Sequence, residues 1–212
     1  FSFNIFFLAL FMEQNAFSEE NIHIKQYETG GIYEGEFLNG KQHGKGKYSL
    51  PNGYSYEGEW KNGRIEGIGI AKYPDGSIYD GFFIDGQHSG SGKLVFANGT
   101  IYEGDWLNGN FNGQGILIYK NGVSLKGNFE NGELNGKGIQ KSANGYIYEG
   151  DWKLGQKSGL AKVFYEGGGN YEGNVQNGIR QGKGKLKLPD GTILEGSFNK
   201  GSISGIGQII FK

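Results

Sequence analysis

The sequence predicts an all-β protein assembled from tandem β-hairpins, and three observations carry that reading. A period of 23 residues runs unbroken through most of the 212-residue chain. Glycine, 42 residues in all, occupies fixed places within that period. Around those glycines apolar and polar residues alternate, which is the two-residue period of a half-buried strand.

The period is set by Tyr33, Tyr56, Tyr79, Tyr102, Leu125, Tyr148, Tyr171 and Leu194, each 23 residues after the last, with no insertion. Counted from these residues, glycine fills positions 3, 8 and 12 of all eight units, position 14 of seven and position 21 of the first seven. These places hold 38 of the 42 glycines, and the single lapse at position 14 is Ala161, the smallest replacement. Repeats of this size are stacked supersecondary units, each too small to bury its own apolar face but able to bury it against its neighbours.

The first strand of a unit covers positions 1 to 6, as in Tyr56, Glu57, Gly58, Glu59, Trp60 and Lys61. Positions 13 to 18 form the second. Between them lies a six-residue connection that opens with Asn-Gly in five units, as at Asn39-Gly40, and with Asp85-Gly86 in another. A second turn, such as Asn52-Gly53 or Asp190-Gly191, joins one unit to the next, with glycine supplying the positive φ of a tight reversal.

On one face, positions 1, 3 and 5 present Tyr, Gly and an aromatic ring: Phe37, Trp60, Phe83, Trp106, Phe129, Trp152 and Phe198, with Val175 the exception. The second strand answers with Gly at position 14 and a mostly apolar residue at 16. A ring beside glycine can lie flat over backbone, so the glycines are expected to be sockets for the aromatics. On the other face, position 2 is acidic in seven units, with Lys126 the exception, while positions 13 and 15 often carry Lys. Pairs such as Glu34 with Lys45 or Lys47, depending on register, would be exposed and contribute about 0 to 1 kcal/mol each. Ile68, Ile70, Val95, Ile116, Ile118 and Ile139 interrupt that polar face, and an apolar patch of this kind would cover the N-terminal segment or a partner.

The chain has enough to bury, with 15 Phe, 13 Tyr and 3 Trp, to be folded rather than a glycine-rich linker. A formal net charge of −1 gives no global field toward nucleic acid, and no nucleic-acid partner is expected. Without cysteine there are no disulfides, thiolate chemistry or thiolate zinc sites. Residues 1–12, FSFNIFFLALFM, are too short to span a bilayer but suit the apolar core of a signal peptide, with Ala16 and Ser18 near a cleavage point. The alternative is an apolar strand or helix capping the array. If residues 1–18 are a signal, the protein is secreted, periplasmic or membrane-associated.

No catalytic, cofactor or metal site is expected. His23, His43 and His88 are scattered, and His43 and His88 fall where the repeat predicts loop. Residues 89–93, SGSGK, resemble part of a phosphate loop, but Gln87 replaces the required first glycine and Leu94 follows the lysine. The position-2 carboxylates, such as Glu34 and Glu57, share one periodic environment, whereas acid–base catalysis needs two groups with separated pKa values. Asn98-Gly99-Thr100 is a glycosylation sequon at a turn, relevant only if the protein is secreted into a compartment that glycosylates.

Residues 56–76, YEGEWKNGRIEGIGIAKYPDG, and the first unit, YEGEFLNGKQHGKGKYSLPNG, resemble the MORN repeat, whose pattern is YEGxWxxGxxxGxGxxxxxxG. The resemblance covers residues 33–212 as eight repeats; Leu125, Leu194, Val175 and the run Gly167 to Gly169 depart from it locally. It implies one elongated antiparallel sheet, curved into a trough and roughly 75 Å long at the usual strand spacing. Residues 19–32 fit a capping half-repeat, since Tyr27 and Gly30 fall on positions 18 and 21 of a preceding unit.

The expected function is a non-catalytic scaffold that binds a protein or peptide along its aromatic groove, with Tyr33, Tyr56, Trp60, Tyr79, Tyr102, Trp106 and Trp152 as contact rings. The sequence closes on GIGQIIFK while still reading as strand, so either the protein continues or that edge pairs in self-association. The resemblance also implies two alternatives. One is membrane or phospholipid association, for which Lys183, Lys185 and Lys187 are the nearest basic cluster. The other is a regulatory arm of a larger enzyme.

Overall fold

A computed structural model describes residues 22–211, and the signal-like segment 1–18 lies outside the described residues. Strand β1 (His23–Gln26) leads into eight hairpins. These are β2 (Ile32–Leu38) with β3 (Lys41–Ser49), β4 (Ser55–Lys61) with β5 (Arg64–Lys72), β6 (Ile78–Ile84) with β7 (Gln87–Val95), and β8 (Ile101–Leu107) with β9 (Asn110–Ile118). Then follow β10 (Ser124–Glu130) with β11 (Glu133–Lys141), β12 (Ile147–Lys153) with β13 (Gln156–Phe164), β14 (Asn170–Gln176) with β15 (Ile179–Lys187), and β16 (Ile193–Asn199) with β17 (Ser202–Ile210). Every strand pairs antiparallel with its chain neighbours, giving one open sheet in sequence order.

The connection inside each unit is shorter than the sequence suggests. Asn39 and Gly40 both have positive φ, 51° and 73°, which is the geometry of a two-residue type I′ turn. The second strand therefore begins at Lys41 rather than Lys45. The residues between are strand interrupted by a bulge: opposite Glu36, β3 carries His43, Gly44 and Lys45, and Gly44 takes a φ of 60°. Position 12 has positive φ in all eight units, which accounts for its invariant glycine. The bulge leaves an amide pointing away from the ladder, and where position 4 is acidic its carboxylate accepts it. Glu36 binds the Lys45 N–H at 2.9 Å, Asp105 that of Gln114 at 3.0 Å and Asp151 that of Leu160 at 2.9 Å.

Between units a second turn recurs. Tyr73 N–H donates to Ser77 O, Gly76 N–H to Tyr73 O, and the Asp75 carboxylate accepts the Ser77 N–H at 2.8 Å. The same backbone pattern links Tyr27, Gly30 and Gly31, so β1 is joined to β2 as any second strand is joined to the next unit.

With one sheet and no second layer among the described residues, the core lies on one face. Gly35, Gly46, Gly58 and Gly69 stand opposite one another on successive strands. The row continues as far as Gly196, with only Ala161 interrupting. A Cβ at Gly58 would lie 2.5 Å from the Cα of Gly69, and one at Gly69 would enter the Tyr56 ring. The glycines are thus sockets for the tyrosines, as the alternation implied.

Leu154 and Lys200 occupy the turn position that Asn or Asp fills elsewhere, yet both have φ of 48°. A left-handed conformation costs a branched L-residue roughly 1 to 2 kcal/mol, much of which Asn avoids. Leu154→Asn, at an exposed site, should therefore stabilise the protein by about 1 kcal/mol, seen as a higher urea midpoint at unchanged slope. An unchanged or lowered midpoint would show that the turn is not strained.

Candidate functional site

The seven rings expected to contact a partner are brought together on one face, but as its packed floor. Tyr33, Tyr56, Tyr79 and Tyr102 are fully buried, and Trp60, Trp106 and Trp152 nearly so. Each tyrosine lies over its glycines and donates its hydroxyl hydrogen to the carbonyl at position 4 of the same unit: Tyr33 to Glu36 at 2.9 Å, Tyr56 to Glu59 at 3.0 Å, Tyr102 to Asp105 at 2.9 Å. The ring at position 5 of the next unit meets it edge to face, as in Tyr33 with Trp60 at 5.1 Å and Tyr79 with Trp106 at 5.2 Å. Burial pushes the Tyr33 and Tyr102 phenols up to about 12, so they remain protonated donors.

Above that floor stands a tier of partly exposed rings that sequence reasoning did not select: Tyr27, Tyr48, Tyr54, Tyr73, Tyr146 and Tyr165 among them. They sit at positions 16, 18 and 22, which vary from unit to unit. Strict recurrence marks what the fold requires, and these irregular aromatics mark the surface. Neighbours lean together, Tyr54 with Tyr73 at 5.8 Å and Tyr146 with Tyr165 at 6.4 Å.

Position 10 differs in nearly every unit and lies on the same face. His88, expected in a loop, is on β7 instead, because the two-residue turn leaves room for strand there. It stacks on Tyr79 at 3.6 Å, and its Nε2 lies 2.6 Å from the Tyr73 hydroxyl. His43 is likewise strand, on β3. Phe111 stacks on Tyr102 at 3.7 Å. Lys157 points its ammonium into a box of Tyr146, Tyr148 and Trp152, at 4.6, 4.9 and 5.7 Å from the ring centres. Arg180 lies among Tyr165, Tyr171 and Phe198.

Unit five shows what happens without an opening tyrosine. Leu125 cannot cover Gly138, and the Trp152 indole of the next unit moves over that socket. Trp60 and Trp106 donate Nε1–H to the carbonyls of Gly46 and Gly92, at 3.2 and 3.0 Å, whereas the buried Trp152 Nε1 has no acceptor among the described residues.

The opposite face carries a charge ladder. Register pairs Glu34 with Lys47, yet the ion pairs form between units: Lys47 with Glu57 at 3.4 Å, Lys162 with Glu172 at 3.4 Å and Lys185 with Glu195 at 3.3 Å. All are exposed and contribute little. Isoleucines break this ladder: Ile70 stands between Glu57 and Asp80, while Ile116 and Ile139 flank Lys126. Ile68, 61% exposed, pairs with Phe82. Residues 89–93 lie inside β7, where no phosphate-loop geometry exists. Among the described residues, no helix is long and apolar enough to cross a membrane.

Burial pulls His88 down from its ordinary 6.5 to about 4. A depressed histidine pKa means that the unfolded chain binds the proton first, so stability falls as pH drops from about 6.5 toward 4. Allowing for partial exposure, the loss should be about 1 to 2 kcal/mol. His88→Phe, which copies Phe111, should flatten the urea midpoint over that range; an equally steep fall in the variant would assign the dependence elsewhere.

The repeat is matched directly by the family model described as MORN repeat, at residues 33–53, 56–78, 79–101, 102–124, 126–145, 148–169 and 171–193. That gives seven repeats where the sequence pattern counts eight, the eighth being the β16 and β17 hairpin. A search of curated proteins finds no match. Among solved structures, the chain is similar to the TCP domain of Drosophila melanogaster SAS-4 in complex with a proline-rich motif of Ana2, at 16% identity and a TM-score of 0.42, over 79% of this chain and 90% of that one. It is also similar to the TCP10 domain of Danio rerio CPAP in complex with a STIL peptide, at 12% identity and a TM-score of 0.43, over 88% and 93%. The repeats themselves carry the assignment: the chain belongs to the MORN repeat family.

Proposed function

We propose that this chain is a non-catalytic scaffold that binds an extended peptide or protein segment along its aromatic face. The tier of partly exposed rings carries the proposal. Tyrosine offers a rigid, amphipathic contact at small entropic cost, and such rings are enriched at interfaces. The floor beneath, Tyr33, Tyr56, Trp60, Tyr79, Tyr102, Trp106 and Trp152, is buried and supports them from below.

Peptides selected by display against the folded array test this. Tyr73→Ala with Tyr165→Ala should weaken the selected peptides at least tenfold, about 1.4 kcal/mol or more, in a double variant that circular dichroism shows to be folded. Unchanged affinity in a folded double variant would place binding elsewhere.

A second reading rests on β17, which among the described residues pairs only with β16, while Ile209, Ile210 and Phe211 beside that edge are exposed. Pairing of this edge with another strand would give self-association. Sedimentation velocity should then show a mass rising with concentration, and Ile209→Lys should suppress it; a constant monomer mass would exclude this. Membrane association has weaker support, since Lys185 of the basic cluster is already paired with Glu195.

A further inference from the structure

We infer that the N-terminal end of the aromatic face is a cation-binding pocket that takes a lysine or arginine side chain of a bound segment. Its walls are Tyr27, Tyr48 and Trp60, around a cavity of about 650 Å³ with Gln42 and Glu28 at its margin. The rings stand nearly at right angles, Tyr27 to Tyr48 at 6.2 Å and Tyr48 to Trp60 at 6.1 Å. A cation within about 6 Å of such ring faces is attracted by their quadrupoles.

Related boxes elsewhere on this face hold a cation, and the Arg180 box shares two of its three ring positions with this pocket, Tyr165 matching Tyr27 and Phe198 matching Trp60. In units six and seven, position 10 is Lys157 and Arg180, and each inserts its charge among the three rings of its own box. The Lys157 ammonium also donates to the Tyr146 hydroxyl at 3.0 Å. In unit one the same position is Gln42, a neutral side chain that donates to the Tyr27 hydroxyl at 2.8 Å and brings no charge. Position 16 is aromatic only here: Tyr48 stands where the other units have Ala71, Leu94, Leu117, Gln140, Val163, Leu186 and Ile209. Unit one thus gains a ring and has no cation at position 10, which leaves Lys25 on β1 as the nearest one.

Two charges border the pocket. Glu28 would favour a cationic guest. Lys25, an exposed side chain whose ammonium lies 5.1 Å from the Tyr27 ring, would compete with it. That contact already shows a cation drawn to this wall, and removing Lys25 should strengthen binding of an external one.

This inference deepens the peptide-binding reading, and its test requires no peptide partner. The folded chain would be titrated with N-acetyl-lysine methylamide, N-acetyl-arginine methylamide and the uncharged N-acetyl-norleucine methylamide, following the ring protons of Tyr48 and Trp60 by NMR. The two cations should give saturable shifts with Kd on the order of 10 mM, consistent with a few weak ring contacts. Tyr48→Leu, a residue the array itself uses at Leu94 and Leu117, should weaken them at least fivefold, and Lys25→Gln should tighten them at least twofold. Equal shifts from norleucine, no shifts at these rings, or indifference to Tyr48→Leu in a folded variant would overturn the inference. Display-selected peptides that depend on Tyr73 and Tyr165 but show no basic residue would overturn it too, while leaving the broader reading intact.

Discussion

A β-sheet needs its apolar face covered, and among the described residues this one has no second layer to do it. The chain covers that face with its own rings, laid flat on the backbone. A ring can lie flat only where no side chain projects, and across β2 to β16 the strands present glycine after glycine along one line, broken once at Ala161. Tyr33, Tyr56, Tyr79, Tyr102, Tyr148 and Tyr171 fill the line, and each hydroxyl ties the ring to a carbonyl beside the bulge. The rest of the repeat serves this contact. The two-residue turn and the glycine bulge set the register that brings position 3 opposite position 14.

The contact also links one unit to the next. Trp60 belongs to the second unit but packs on Tyr33 of the first, and Trp106 packs on Tyr79 in the same way. Stability in such an array is a sum of units and nearest-neighbour interfaces. A local lapse is therefore absorbed locally: Leu125 leaves its socket open, and the neighbouring Trp152 fills it at the expense of an unpaired indole N–H. With the floor fixed, positions 10, 16, 18 and 22 are free to differ. His88, Phe111, Lys157 and Arg180 give different stretches of one surface different chemistry.

The fold was legible because each feature that specifies it repeats. The 23-residue period, the alternation and the glycine sockets could all be read from residue spacing. The exact strand limits could not. Asn39 and Gly40 are compatible with several loop lengths, and only their shared positive φ shows that two residues close the turn. The placement of His43 and His88 followed that uncertainty. The rings that recur strictly are the buried ones, because strict recurrence follows a packing requirement of the fold, whereas the partly exposed rings at positions 16, 18 and 22 vary from unit to unit and offer no period by which to be read. The opposing ion pairs depended on side-chain reach: Lys47 is opposite both Glu34 and Glu57, and it pairs with Glu57.

The central claim is that the tyrosine ring is what forbids a side chain at the paired glycine. A double-mutant cycle on Tyr56 and Gly69 measures it directly, using Tyr56→Leu, Gly69→Ala and both together, with urea unfolding as the readout. If the ring occupies the socket, Gly69→Ala should cost about 2 to 3 kcal/mol with Tyr56 present and much less with Leu, a coupling of about 1 to 2 kcal/mol. Strict additivity would contradict it, leaving the glycines to be explained by backbone geometry alone.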